Sequence, residues 1–462
     1  MSINEEHETL FDLTGNAFVD AGIATISAIV DKDFKHLTKE DLKNALDFAH
    51  NIYSVKEWRG NIHGILFPNS EICNPSTVKT NPDKFKQVML GSIENLISLT
   101  KSGSCVICGS RPGEPQIRMR VPMLGSRKTV NFFPMGQAGE NVCSGCSFAI
   151  QFLPLYITKV GKKALLLQSS NPYIIKLYSE EQIRKHRESI TKKKLNDGFL
   201  INEKRGINSI FDIIENITST YKDKQNNAKN DLPQYFNPYL AFYHFTNFNQ
   251  TNAFEALDIY HFPNKVFHFI KEVIELHLEN EWRKIVIQGF PKKKRDDPDK
   301  AFRSYINRVY ERLLKGKTIT YYFIDRINYR NIGSWSLVEV YLSMVMNMND
   351  DTIEIIKILG DKIVKTVEKT QKIKRITSID WAKNYRDFRT SLLWLAKDWA
   401  SIDNNEPLLT VDDYLRMLFQ NGKNSWSEIR DLLVFRFLET APKELLNNFV
   451  GKTKDKDENL KT

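Results

Sequence analysis

The sequence contains few cysteines and no long apolar segment. None of its runs reaches the roughly 18 apolar residues that a membrane-spanning helix requires, so no span is expected. Residues 1–7 are acidic and no short apolar core follows them, which differs from a secretory signal peptide. We therefore expect a cytoplasmic protein with no membrane partner, in which thiols stay reduced and disulfides do not form.

The common catalytic and nucleotide-binding motifs are also missing. There is no GxxxxGK[ST] phosphate loop, no GxGxxG after a predicted strand, no GxSxG and no HExxH. The nine histidines are scattered, with no metal-ligand spacing among them. These absences favour a binding protein over an enzyme. The alternative is a zinc-ribbon nuclease or nucleic-acid-modifying enzyme whose carboxylates or histidines are gathered only by the fold.

Four of the five cysteines form two pairs, Cys105 with Cys108 and Cys143 with Cys146. Two intervening residues let one turn present two thiolates to one metal ion, and four thiolates fill a tetrahedral site. Because such a site has no open position for water, we predict a structural zinc ion without a catalytic role. The alternative is a set of unrelated buried thiols. Cys73 stands apart and is expected to be a small core residue.

Basic residues outnumber acidic ones, 66 to 56, which gives a net charge of +10 and a pI near 9.1. Residues 344–462 hold 20 basic and 19 acidic residues, so residues 1–343 carry the remaining excess of nine positive charges. This balance is typical of a protein that meets nucleic acid, and we expect the contacts to lie in residues 1–343. The alternative is a genome whose base composition favours lysine codons.

The 34 residues between the cysteine pairs, 109–142, are called the inter-pair segment below. They are too many for a short loop and are expected to form an inserted hairpin. Polar and apolar residues alternate over 116–121, which predicts a strand with one exposed face, and 129–133 are predicted as the returning strand. The hairpin places four basic residues on its exposed side: Arg118, Arg120, Arg127 and Lys128.

Apolar periodicity predicts helices over much of the remaining chain. One helix ends near Val30, a second starts at a Thr38 cap, and residues 58–67 are predicted as a strand. From about residue 334 onward, apolar residues recur every three or four positions, as in a bundle of helices. We therefore predict an α+β fold, with a mixed amino-terminal lobe containing a zinc-stapled hairpin and an all-α carboxy-terminal helical bundle.

Three domains are predicted along the chain. Residues 1–225 form the zinc-containing lobe, 226–335 a middle α+β region with a basic loop, and 336–462 the bundle. Asp350 or Asp351 is expected to cap a helix that begins just after a group of methionines. An internal start at Met348 would then produce the bundle as a separate polypeptide. The alternative is that the methionines only fill a helical core.

Several short segments occur together in this sequence: TGNAFVDAG at 14–22, CVICG at 105–109, LGS…NFFP…G…G at 124–139, CSGC at 143–146, AIQFLPL at 149–155, YHFTN at 243–247 and DIYHFP at 258–263. The combination resembles the CXXC–CXXC large subunit of subtype I-B CRISPR Cascade, in the Cas-eight superfamily. The resemblance spans roughly residues 10–340. A related subtype I-A large subunit and a stand-alone zinc-ribbon transcription factor are alternatives, and the long helical region argues against the second.

The resemblance implies a non-enzymatic subunit of a crRNA-guided surveillance complex. Such a subunit recognises the protospacer-adjacent motif on target double-stranded DNA, helps to open the duplex and docks a helicase–nuclease recruited in trans. The implied partners are the crRNA, the target DNA, and the backbone and small subunits of Cascade. The carboxy-terminal bundle of this family resembles the small subunit.

Candidate nucleic-acid contacts follow from side-chain chemistry. Arginine suits guanine, and asparagine or glutamine suits adenine, through paired hydrogen bonds in the major groove. The candidates in the inter-pair segment are Arg118, Arg120, Arg127, Lys128, Asn131 and Gln137. Two further clusters are expected to hold phosphates without reading bases: Lys192, Lys193, Lys194, Lys292, Lys293, Lys294 and Arg295. The alternative for each residue is a solvated or structural side chain.

Overall fold

The computed structural model describes residues 10–96, 103–125, 138–195, 199, 205–227 (side chains to 224), 238–247, 256–326, 328–402, 406–418 and 425–450. These residues combine small antiparallel sheets with many helices, and strands are concentrated in the amino-terminal part. The predicted α+β class is therefore confirmed. The chain divides into two compact units, Met1–Asn264 and Lys265–Thr462, which are described separately.

In the described part of unit 1, two sheets are combined with helices. Its helices are α1 (Ala17–Val30), α2 (Lys39–Tyr53), α3 (Lys56–Asn61), α4 (Pro75–Thr80), α5 (Lys84–Glu94), α6 (Ser144–Ile150), α7 (Leu153–Tyr156), α8 (Pro172–Thr191) and α9 (Gly206–Asn227). Its strands are β1 (Gly103–Ser104), β2 (Pro112–Gln116), β3 (Glu140–Val142), β4 (Thr158–Val160), β5 (Lys163–Ser169), β6 (Leu240–Phe245) and β7 (Leu257–Phe262).

The larger sheet of unit 1 is antiparallel with the order β4-β5-β6-β7. Strand β6 pairs with β5 in the register Leu166 to Tyr243, although the two strands are far apart in sequence. Helices α1 and α8 pack against β5, and the Phe18 ring contacts the Phe245 ring at a centroid distance of 5.1 Å. The core of unit 1 therefore lies between this sheet and the helices.

Helix α1 begins at a turn that its own side chains organise. The Asn16 side chain caps the helix by accepting hydrogen bonds from two amides of the first turn. The buried Asp20 carboxylate accepts bonds from the amides of Thr14 and Gly15, at 2.8 and 3.0 Å. Gly15 has a φ of +78°, a conformation that favours glycine. The TGNAFVDAG segment is thus a helix start closed by internal hydrogen bonds.

The predicted second helix is confirmed as α2, with Thr38 as its cap. Two predicted strands are wrong. Residues 58–66 are helical, within α3 and a following wide helical turn, Ile62–Leu66. Trp58, Ile62 and Ile65 are buried at gaps of four and three, which place them on one face of a helix but on opposite faces of a strand. The strand predicted at 116–121 instead spans Pro112–Gln116, and the chain then enters a turn.

Unit 2 is mainly helical. Its helices are α10 (Asn264–Glu275), α11 (Glu279–Gln288), α12 (Pro298–Ser304), α13 (Arg308–Leu314), α14 (Trp335–Met344), α15 (Asp350–Thr370), α16 (Lys374–Asp380), α17 (Tyr385–Ala400), α18 (Val411–Leu418) and α19 (Trp426–Thr440). A two-stranded sheet pairs β8 (Ile324–Asp325) with β9 (Arg330–Asn331). None of the described helices in either unit has the length and apolar character needed to cross a membrane.

The compact boundaries differ from the three predicted domains. Among the described residues of 226–335, β6 and β7 complete the sheet of unit 1, whereas residues from 265 onward belong to unit 2. Helix α15 is capped by Asn349, not by Asp350 or Asp351, because the Asn349 side chain accepts the Thr352 amide at 2.8 Å.

A buried ion network ties the helices of unit 2 to its small sheet. The Arg326 guanidinium contacts Asp380 at 2.5 Å and Asp431 at 2.6 Å, and both carboxylates are buried. Arg430 adds a second bond to Asp431 at 2.8 Å. Since a buried carboxylate is costly without a partner, Arg326 joins the end of β8 to α16 and α19 in one folding unit.

We predict that Gly22→Ala destabilises unit 1. A Cβ atom at this position would lie 1.9 Å from the Ala149 carbonyl oxygen in α6, so α1 and α6 would have to separate. The expected loss of unfolding free energy is about 1–3 kcal/mol, measured by thermal or chemical denaturation. The matched control is Gly60→Ala, because a Cβ atom at Gly60 meets nothing within 4 Å. Equal stability of the two variants would contradict the close crossing.

We also predict that Arg326→Met destabilises unit 2 by roughly 3 kcal/mol, since it leaves two buried carboxylates short of a partner. The control is Arg283→Met, whose side chain is 71% exposed and lies 3.9 Å from Asp299.

We further predict that a fragment of residues 348–462 unfolds less cooperatively than a fragment of residues 265–462, because the shorter one contains Asp380 and Asp431 but lacks Arg326. Chemical denaturation of the two fragments measures this difference. A fully cooperative transition of the 348–462 fragment would show that the network is dispensable.

Candidate metal centre

The first cysteine pair lies in a tight turn between β1 and β2. The Cys105 amide donates to the Arg111 carbonyl at 2.8 Å, and the Gly109 amide donates to the Cys105 carbonyl at 2.9 Å. Gly109 has a φ of +69°, which closes the turn in a conformation that favours glycine. This local geometry directs both sulfur atoms of the pair to the same side.

The second pair is built differently, on a helix. Cys143 is the cap of α6, and its sulfur accepts the Cys146 amide at 3.4 Å. The Ser147 amide donates to the Cys143 carbonyl at 3.0 Å, as the next bond of the helix. The absence of glycine after this pair is explained by helical continuation, which needs no left-handed residue.

The fold brings all four sulfur atoms into one cluster. Their Sγ atoms lie within 4.8 Å of one another, and Cys108 Sγ is 3.8 Å from Cys143 Sγ. A tetrahedral site with bonds of about 2.3 Å requires sulfur atoms about 3.8 Å apart, so the cluster fits a four-coordinate metal ion. None of the cysteines forms a disulfide, and only Cys108 is partly exposed. The predicted grouping of these four cysteines is therefore confirmed.

The four thiols differ in pKa because they form hydrogen bonds with one another and with neighbouring groups. Bonds from Cys143 and Cys146 lower the pKa of Cys105, whereas the bond to Cys105 raises the pKa of Cys143 to about 11 and that of Cys146 further. Burial opposes ionisation of Cys108, but hydrogen bonds from Ser110 and Arg111 outweigh it and lower its pKa. A cation that binds here displaces the remaining protons, as a thiolate site requires.

The inter-pair segment is anchored at a second place, away from the cysteines. The buried Asn247 side chain donates to the carbonyls of Leu66 and Arg118 at 2.7 and 3.0 Å, and its oxygen accepts the Met123 amide at 3.2 Å. Gln151 donates to the Arg120 carbonyl at 2.7 Å. Residues 118–123 are therefore fixed to the body of unit 1 by side chains from outside the segment.

The predicted exposed positions of Arg118 and Arg120 are wrong. Arg118 donates to the Asn247 carbonyl at 2.9 Å, and burial lowers its pKa. Arg120 forms an ion pair with Glu71 at 3.0 Å, and each of these two side chains is 26% exposed. The turn at 118–120 directs both guanidinium groups toward other parts of unit 1. These contacts help to hold the inter-pair segment in place. The other candidates in this segment lie outside the described residues: Arg127, Lys128, Asn131 and Gln137.

The first lysine cluster ends helix α8. Lys192 pairs with Glu188 at 3.3 Å, and Lys193 adopts a φ of +54° as the helix terminates. The Lys194 amide closes the turn by donating to the Ser189 carbonyl at 2.8 Å. All three side chains are exposed, and positive charge is favourable at a helix carboxy terminus. This position gives the cluster a structural role in addition to any phosphate contact.

The second cluster separates into two kinds of residue. Lys292, Lys293 and Lys294 form an exposed turn of 3₁₀ helix. Arg295 folds back, donating to the Phe290 carbonyl and to both the carbonyl and the side chain of Gln288, at 2.5–3.1 Å. Its guanidinium is therefore used inside the protein, and the three lysines are left facing solvent.

Reasoning from the sequence did not identify Asn247 or Gln151 as anchors of the inter-pair segment. Each lies far from the backbone groups that it binds, so no spacing signals the contact. The only indication was that Asn247 ends the YHFTN motif and Gln151 lies in AIQFLPL. Both motifs thus have a structural explanation in unit 1.

Comparison with known proteins finds no match for this chain among protein-family models, curated proteins or solved structures.

We predict that Cys108→Ser removes bound metal and lowers the melting temperature of unit 1, because three thiolates hold the ion less well and its binding stabilises the fold. Metal analysis should fall from about one ion per chain to well below one. Cys73→Ser is the control, since that buried thiol lies outside the cluster. Unchanged metal content in Cys108→Ser, or a chelator that leaves stability unaltered, would contradict a structural metal.

Proposed function

We propose that this chain is the large subunit of a crRNA-guided type I Cascade complex, which recognises the protospacer-adjacent motif and is not an enzyme. The proposal is supported by the combination of short motifs in residues 14–263 and by the cysteine cluster they contain. In this role the chain works with the crRNA, target double-stranded DNA and the other Cascade subunits. It also docks a helicase–nuclease recruited in trans.

The metal in this proposal is zinc. Four cysteines supply the sulfur-only ligand set that structural zinc sites use, and the 3.8 Å separation of Cys108 and Cys143 matches a tetrahedral edge. All four ligand positions are filled by the chain, so zinc would supply stability and orientation. The cysteines themselves hold the turn after β1 against the start of α6.

The observation that carries the proposal is the double anchoring of the inter-pair segment. The cysteine cluster holds its two ends, and Asn247 and Gln151 hold residues 118–123. A recognition segment must be held rigidly if its side chains are to discriminate between bases. Between residue 123 and the second cysteine pair, the sequence supplies Arg127, Lys128, Asn131 and Gln137, and these are our candidates for motif recognition.

The positive charge of residues 1–343 fits a protein whose guide RNA recognises the target sequence. The guide reads the target by base pairing, so the protein needs phosphate contacts and only a few groove-reading side chains. The excess of nine positive charges in residues 1–343 fits this requirement. Lys192, Lys193 and Lys194 and the exposed Lys292, Lys293 and Lys294 are proposed as phosphate contacts.

We predict that an affinity-tagged chain, expressed with its neighbouring genes, co-purifies with a short guide RNA. In that complex, Gln137→Ala and Arg127→Ala should each change the preference among duplexes that differ in the motif, by about 1–3 kcal/mol per lost base contact. Competition binding to a library of motif variants measures this preference. The control is Lys162→Ala, an exposed lysine in the β4–β5 turn.

Three results would count against the proposal or part of it. Absence of any guide RNA from the purified complex would exclude the Cascade role. An unchanged motif preference in both variants would exclude Gln137 and Arg127 as recognition residues. Metal-dependent cleavage of nucleic acid by the purified chain would favour the enzymatic alternative instead.

A further inference from the structure

A cationic surface is assembled in unit 2 where α11 ends and α13 begins. The Arg308 amide donates to the Gly289 carbonyl at 3.0 Å, and the buried Asn307 side chain donates to the Val286 carbonyl at 2.7 Å. A Cβ atom at Gly289 would lie 2.2 Å from the Asn307 side-chain oxygen. The start of α13 is therefore packed closely against the end of α11.

The lysine turn is fixed to the same place. Arg295 binds Phe290 and Gln288, at the end of α11, through three hydrogen bonds. This contact holds the exposed Lys292–Lys294 turn beside the junction. Within the part of the chain that the structure describes, none of these three lysines forms an ion pair.

Three arginines from two elements, Arg308 and Arg312 in α13 and Arg295 after the lysine turn, lie near Tyr322 at this junction. Burial raises the pKa of Tyr322, and the nearby positive charges of Arg312, Arg308 and Arg295 act in the opposite direction. Arg308 is exposed and forms no ion pair with the described residues. Residues 292–317 hold ten basic and four acidic residues, so the positive charge is not cancelled locally.

Three of the four acidic residues of this stretch have other contacts, and Asp296 is exposed beside the lysine turn. Asp297 caps α12 by accepting the Lys300 amide at 3.2 Å. Asp299 lies 3.9 Å from Arg283, and Glu311 pairs with Lys315 at 2.6 Å.

An exposed aromatic ring packs against Tyr322, in the 3₁₀ turn Thr320–Phe323. Tyr321 is 52% exposed, and its ring contacts that of Tyr322 at a centroid distance of 5.6 Å. The Arg326 guanidinium lies 5.1 Å from the Tyr321 ring centroid and supports it. An exposed tyrosine that packs on Tyr322, which itself lies near Arg308 and Arg312, has the composition of a platform for unpaired bases.

We infer that this surface binds single-stranded nucleic acid, with Lys292–Lys294 and Arg308 holding phosphates and Tyr321 stacking on a base. The inference rests on the proposed nucleic-acid function of the chain and names the form of nucleic acid that unit 2 contacts. A single strand is favoured over a duplex because bases inside a duplex do not offer a free face to a tyrosine ring. RNA and DNA single strands share the chemistry that this surface recognises.

The test is fluorescence anisotropy of the full-length chain with a labelled single-stranded RNA, the matching DNA strand and the matching blunt duplex. The triple variant Lys292→Gln, Lys293→Gln and Lys294→Gln should bind both single strands roughly tenfold more weakly at about 0.1 M salt. The slope of the logarithm of the binding constant against the logarithm of salt concentration should become shallower by about two, because each of three lost phosphate contacts removes about 0.7. Tyr321→Ala should weaken binding roughly fivefold or more, because the stacking ring is lost. Tyr321→Phe keeps the ring and should bind as tightly as the unchanged protein.

The matched control removes three exposed lysines elsewhere in unit 2, by changing Lys369, Lys383 and Lys443 to glutamine. Equal weakening by the control and the test triple would mean that net charge alone matters, and would overturn the inference. An unaffected Tyr321→Ala, or a duplex that binds as tightly as the single strands and is weakened equally, would overturn it as well.

Failure of this inference is separable from failure of the proposed function. If guide RNA co-purifies with the wild-type complex but the variants bind single strands normally, only the surface in unit 2 is misassigned. If no guide RNA co-purifies while the variants still weaken binding to single strands, the surface stands and the Cascade assignment fails. A difference between the RNA and DNA strands identifies which of the two the surface prefers.

Discussion

The convergence of four cysteine thiols is the constraint on which the amino-terminal unit depends. Cys105 and Cys108 come from a turn between two short strands, and Cys143 and Cys146 from the start of α6. Helix α6 is in turn held against α1 at Gly22, where there is no space for a side chain. A metal ion bound by the four sulfurs would therefore connect the inter-pair segment to α6 and, through the close crossing of α6 with α1, to the core of unit 1.

Positive charge in this protein serves two separate purposes. Arg118 donates to a backbone carbonyl, Arg120 pairs with Glu71, and Arg295 donates to Gln288. These three arginines therefore position the segments that contain them. The lysines that precede Arg295, at positions 292–294, remain exposed. This difference follows from chemistry, because the planar guanidinium can satisfy several acceptors at once, whereas the ammonium group is strongly hydrated. In the cluster at 292–295, Arg295 is therefore the structural residue, and Lys292, Lys293 and Lys294 remain available to a ligand.

The buried polar network of unit 1 holds a loop, whereas that of unit 2 lies within the helical core. In unit 1, Asn247 and Gln151 use buried amides to hold a loop. In unit 2, Arg326 joins two buried carboxylates inside the helical core and also supports the exposed Tyr321 ring. The same residue thus links the stability of unit 2 to a surface proposed to bind nucleic acid.

The sequence by itself determined the features that depend on local order. Cysteine spacing indicated the four-thiol site, the Thr38 cap and apolar periodicity indicated α2, and periodicity indicated the helical carboxy-terminal part. Only the tertiary structure decided which arginines are available to a ligand, where the compact units divide, and that Trp58 begins no strand. These outcomes depend on partners distant in the chain, such as Asn247 for Arg118 and Asp431 for Arg326. Hydrogen bonds and ion pairs of that kind leave no periodic trace, because the fold, not the spacing, brings the partners together.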